Sequence, residues 1–249
     1  MLAQLGIMAM HETADGGQFS AATLMLVSDI AVTQTVIGTC AGLHRRATPP
    51  AYDVHVRAAE DAIVTFVLSH EYGHLLNGDM TAHRLGAPDD GAADLLAREL
   101  AADSRGLRIN LAAAVTTPLE GAAAWGPVLY LAGLDMLGRA RAAYERREYQ
   151  PVGGDYPTEF ERMLSLLNMI EKSELAPVLG TAVQTAARAY NQILFAWDAV
   201  MPALWDASEE LRQYEAATLT DPEQVEWCRL NAQLLLWSRV TGRPRPADP

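Results

Sequence analysis

The sequence predicts a mainly α protein with room for one small β element. Three observations predict this. Half of the residues are apolar, enough for a substantial core in a chain of 249 residues. In most of the chain those residues recur three and four apart, the helical period. Pro, Gly, Asn and Asp cluster between these segments and punctuate them.

Residues 1–18 read as irregular, with Asp15-Gly16-Gly17 as a break. Segment 19–43 is open between two conformations. Its β-branched run Ile30-Ala-Val-Thr-Gln-Thr-Val-Ile37 suits a strand beside a substrate cleft, and a packed helix fits equally. Arg45 to Tyr52 holds Pro49-Pro50 and reads as a loop. A helix follows from Asp53, a candidate N-cap, to Asn77-Gly78, a candidate stop. A Gly/Asp/Pro loop spans 84–91, and a second Ala/Leu-rich helix follows, capped by Asp89 or Asp90. Residues 122–146 form another helix, ending in Arg139, Arg141, Arg146 and Arg147, charges that suit a helix C-terminus. Pro151 to Pro157 is a glycine-containing loop. Helices are expected at about 158–173, at about 179–214 with a break near Pro202, and at about 221–241. The last is punctuated by Asp221-Pro222 and Gly242, and residues 243–249 form an extended tail. The aromatics of the last third, Tyr190, Phe195, Trp197, Trp205, Tyr214, Trp227 and Trp237, stand at helical spacing and read as core.

The helix at 53–77 carries His70-Glu71-Tyr72-Gly73-His74, an HExxH pattern. Residues four apart lie one turn above each other on one helix face, so two imidazoles can meet one metal ion. Glu71, rotated by about 100°, can act as general base on a water. The face is apolar upstream, at Ala59, Ile63, Phe66 and Val67, so the histidines point inward and need partners. Catalytic zinc usually takes three protein ligands. A histidine at position 80 would complete a metzincin set, but that residue is Met80. Glu99 and Asp103 are the better candidates. They form an i, i+4 carboxylate pair that repels itself unless cations or donors meet it. Zinc on Glu99 and an imidazole N–H on Asp103 would supply both.

HExxH followed by ExxxD on a later helix resembles the gluzincin metallopeptidases. It looks most like the group of CAAX-processing and heat-shock membrane metalloproteases and their soluble relatives. The resemblance covers roughly residues 53–165. The chain is expected to comprise a zincin-like catalytic core over 1–150 and a helical C-terminal part over 151–249 packed on it, the two standing as separate parts or as one single domain. The resemblance implies Zn2+ held by His70, His74 and Glu99, with Asp103 behind a histidine. A third family motif pairs a His-Pro turn with an Arg six residues after the His. Here Pro157 and Arg162 match, and Tyr156 stands at the His position. Tyr156 and Arg162 are therefore expected to face the substrate and the oxyanion formed on it, with Tyr156 a departure from the pattern.

Net charge is −12 and the basic cluster at 139–147 is short, which excludes a nucleic-acid partner. The two cysteines, Cys40 and Cys228, make no disulfide framework and no thiolate zinc site, and read as free buried thiols. No Lys or Arg precedes Arg45, so a secretory n-region is lacking and a cytoplasmic location is expected. Segments 21–43 and 121–137 are apolar, but Asp29 interrupts the first, and Pro127 and Asp135 the second. Both read as buried rather than membrane-spanning. The expected function is zinc-dependent hydrolysis of a peptide or protein substrate, with Glu71 as general base. Two alternatives stand beside it. One is a non-proteolytic zinc hydrolase in small-molecule biosynthesis. The other is a regulatory or toxin-linked binding protein with the zincin fold and conditional activity.

Overall fold

A computed structural model describes residues 3–8, 19–38, 50–79, 92–114, 122–149, 158–172, 174, 176–215 and 219–242. Every regular element among them is helical. Residues 3–8 form α1. The helices that follow are α2 (Ala21–Val32), α3 (Pro50–Asn77), α4 (Ala92–Ala114), α5 (Ala122–Tyr144), α6 (Glu159–Glu171), α7 (Ala176–Asp198), α8 (Met201–Leu211) and α9 (Pro222–Thr241). A π-helical turn, Thr33–Ile37, extends α2, and a 3₁₀ turn, Arg212–Tyr214, extends α8.

α3 is the central element of the candidate site. α4 packs against one flank and α5 against another. Missing side chains allow both approaches. A Cβ on Gly73 would stand 3.0 Å from Ala102 Cα, and one on Gly106 would stand 3.1 Å from the His70 backbone nitrogen. Positions 73 and 70 thus oppose 102 and 106, so α3 and α4 run antiparallel. On the other flank a Cβ on Gly126 would fall 2.5 Å from the backbone carbonyl of Ala62. That is closer than any real side chain stands, so α5 lies directly on the α3 backbone. α6 and α7 pack on α5, and α9 closes the far side against α2 and α8. One continuous hydrophobic core runs from Ala3 to Leu236, and Phe66, Leu107, Leu131, Leu166, Tyr190 and Trp197 all lie in it.

Several expectations change here. Residues 3–8 are helical rather than irregular, because Leu5 and Ile7 are buried in the core. The run 30–37, which the sequence left open between strand and helix, is helical. Val27, Ile30, Ala31, Val32, Val36 and Ile37 are all buried. A helix enclosed on nearly every side suits an apolar run, and burial overrides the β preference of its branched residues. Ser20 caps its start, accepting from the Thr23 N–H at 3.2 Å. Thr35 donates back to the Ala31 carbonyl at 2.6 Å inside the π turn, and Gly38 (φ 72°) ends it. α3 starts at Pro50 rather than at Asp53, since proline fits the first helical turn. Asp53 then accepts from Arg57 at 2.8 Å, one turn on.

Other boundaries fall as the sequence indicates. Gly78 (φ 79°) and Gly242 (φ 63°) end α3 and α9 in the left-handed conformation. Thr158 and Glu161 form a reciprocal capping box at the start of α6. The break near Pro202 separates α7 from α8. The C-terminal aromatics divide. Tyr190, Trp197 and Tyr214 are buried, whereas Phe195, Trp205 and Trp227 are exposed. Cys228 is free and buried. Cys40, Tyr156, the loops 84–91 and 151–157 and the tail 243–249 lie outside the described residues. No described helix is long and apolar enough to cross a membrane.

Candidate metal centre

The antiparallel register of α3 and α4 turns two i, i+4 pairs toward each other in reverse order. His70 meets Asp103, and His74 meets Glu99. His70 Nδ1 lies 2.9 Å from Asp103 Oδ1, a close contact off the hydrogen-bond line. His74 Nε2 lies 3.4 Å from Glu99 Oε1, and His70 Nε2 lies 3.5 Å from Glu99 Oε2. The two Nε2 atoms are 3.1 Å apart, with the rings edge to face. Among the described residues, His70, His74 and Glu99 form the one group of three such side chains close enough to share an ion.

These separations can be compared with a coordination sphere. Zinc–ligand distances of about 2.0–2.1 Å in a tetrahedron place neighbouring ligand atoms about 3.3 Å apart. The spacings of 3.1, 3.4 and 3.5 Å bracket that value. The chemistry of the donor set agrees. Each imidazole turns its Nδ1 toward a carboxylate, His70 toward Asp103 and His74 toward Asp79 at 2.8 Å. Those partners favour the proton on Nδ1 in both rings. Both Nε2 atoms then present lone pairs to the same point, beside the Glu99 carboxylate. Three electron-rich atoms converging in a mostly buried position call for a cation. The surrounding charges lead to the same result. Among the described residues, Arg162 pairs with Glu99 and Asp103, and Arg98 stands 3.8 Å from Asp79, so three carboxylates gather around the two imidazoles.

Arg162, from the first turn of α6, is 4 % exposed. Its Nε and a terminal nitrogen donate to the two Asp103 oxygens, each at 2.8 Å. The same terminal nitrogen lies 3.2 Å from Glu99 Oε2. One rigid fork therefore fixes the Glu99 carboxylate and the Asp103 carboxylate behind His70. Burial pushes the Asp103 carboxyl upward, but the hydrogen bonds from Arg162 and the close approach of His70 outweigh it and hold the group below the usual carboxylate range. Asp103 is thus kept ionised as the acceptor that His70 needs.

Glu71 is exposed on α3, one residue from the buried His70, and faces solvent at the edge of the cluster. Of the residues expected at the site, His70, His74, Glu99, Asp103 and Arg162 come together, Glu71 borders them, and Tyr156 falls outside the described residues. The sequence reasoning missed Asp79. It follows Gly78, whose left-handed turn brings the chain back toward His74, and Arg98 stands 3.8 Å away on its other side. The available signal was an acidic residue directly after the stop of an HExxH helix. Compared with known proteins, the chain matches no family model, no curated protein and no solved structure.

Should His70, His74 and Glu99 hold zinc, Asp79→Ala is expected to weaken its binding about 10- to 100-fold, the usual cost of losing a carboxylate behind a metal-bound histidine. Competition titration against a chromophoric chelator measures this. An unchanged affinity would show that His74 is oriented without Asp79.

Proposed function

We propose that the protein is a zinc-dependent peptide hydrolase of gluzincin type. In this reading residues 1–150 form a zincin-like core and 151–249 a helical part packed on it. The observation that carries the proposal is the convergence of His70 Nε2, His74 Nε2 and the Glu99 carboxylate at tetrahedral spacing, with an exposed Glu71 beside them.

His70, His74 and Glu99 hold the ion. Asp103 and Asp79 orient the two imidazoles, and Arg162 orients Glu99 and Asp103 from behind. Bound there, zinc supplies Lewis acidity toward oxygen. Glu71 takes the proton of the attacking water and then delivers it to the amine that leaves. Its exposure leaves it accessible to both water and substrate. Tyr156 keeps its proposed place as a hydrogen-bond donor to the substrate.

Zinc content, measured by mass spectrometry on wild type and Glu99→Ala side by side, tests the site. About one zinc per wild-type chain with marked loss in the variant is expected. No zinc after expression in zinc-supplemented medium, or zinc unaffected by Glu99→Ala, would overturn the ligand set.

A second reading has its own support. Val64, Leu68, Tyr72, Leu75 and Leu76 are exposed along α3 beside Glu71. An apolar row of this kind favours a zinc-site protein that works by binding a partner. A stable complex unaffected by Glu71→Gln would select it.

A further inference from the structure

We propose that Tyr130 is a further substrate-facing residue of this centre, donating its phenolic O–H to the carbonyl oxygen of the bond under attack. This rests on the peptide-hydrolase reading above.

The close approach of α5 to α3 sets its place. Gly126 lies on the Ala62 backbone, and Tyr130 comes one turn later on α5, level with Phe66 one turn later on α3. The Tyr130 ring meets Phe66 edge-on, with centroids 5.9 Å apart, and the Phe66 ring is 6.2 Å from that of His70. An aromatic step thus connects Tyr130 to the metal-binding face. The charged groups that act on its hydroxyl are Arg162, Glu71, Asp103 and Glu99, all of them members of the candidate centre. Phe66 touches both the Tyr130 ring and the His70 ring, so Tyr130 stands on the side of α5 turned toward the cluster.

Two further properties suit a donor. Tyr130 is half-buried, and among the described residues its hydroxyl has no hydrogen-bond partner. A tyrosine so placed usually spends its hydroxyl on a partner, so this one is free for a ligand. Burial, together with the carboxylates around it, also pushes its ionisation upward against the opposing effect of Arg162. The group stays an O–H at neutral pH. It gives a hydrogen bond to the oxygen as negative charge develops there, and its proton remains on the phenol throughout.

Tyr130→Phe removes an oxygen that has no hydrogen-bond partner among the described residues, so the fold and the zinc site should persist. Three quantities separate the outcomes: zinc stoichiometry, affinity of the zinc-loaded protein for acetohydroxamic acid by calorimetry, and hydrolysis of fluorescent casein. The expected variant keeps wild-type zinc, binds the hydroxamate about tenfold more weakly and loses about 100-fold in kcat with KM little changed. Equal hydroxamate affinity and equal kcat would overturn the assignment and leave the zinc site standing. A wild type that takes up no zinc would overturn the site itself, and this assignment with it.

Discussion

Glu71→Gln is expected to keep the zinc and lose the turnover. Glutamine has nearly the shape of glutamate but does not accept a proton at neutral pH. Glu71 is exposed and is not one of the three side chains that converge, so the substitution should disturb neither the proposed metal site nor the packing. General base catalysis by a positioned carboxylate contributes about 10²–10⁴-fold, and a loss of that size is expected in kcat. Zinc content by mass spectrometry and hydrolysis of fluorescent casein provide the two readouts. Full activity with zinc retained would remove Glu71 from the mechanism, and loss of both together would make it a structural residue.

The centre was legible in the sequence where one helix repeat determines it. His70 and His74 are one turn apart, and so are Glu99 and Asp103, so each pair could be placed on a face without knowing the fold. The opposition of 70 to 103 and 74 to 99 is tertiary, but an antiparallel helix pair has only one register that satisfies both. Asp79 was hidden because its position depends on the left-handed turn at Gly78 rather than on a period. Tyr130 was hidden for another reason. Its approach depends on α5 resting on α3 at Gly126, and one glycine in an Ala/Gly-rich segment does not single itself out. The run 30–37 shows the limit of local propensity. Its branched residues favour a strand, yet burial on nearly all sides makes it a helix. The exposed Phe195, Trp205 and Trp227 show the converse, since helical spacing identifies a face but not what covers it.

Arg162→Ala is expected to cost about 3–5 kcal/mol of stability, the penalty for breaking a buried ion pair from one side. The arginine and Asp103 are 4 % and 1 % exposed, and the guanidinium occupies both carboxylate oxygens. Its removal leaves Asp103 buried with only the angled contact to His70, and leaves Glu99 without its nearest cation. Arg162→Lys should recover little, because a single ammonium does not span the two oxygens as the fork does. Metal-free protein is the right sample, since zinc would otherwise stabilise each variant according to its affinity. Urea denaturation should show a lower midpoint with an unchanged slope. Zinc affinity should fall with it, because the fork holds Glu99 and Asp103 in one geometry. A loss below about 1 kcal/mol would mean that the cluster is hydrated and that Arg162 acts as a surface residue would. A full stability loss with unchanged zinc affinity would separate the two tasks: Arg162 would hold α4 to α6, and Glu99 would find its position without it.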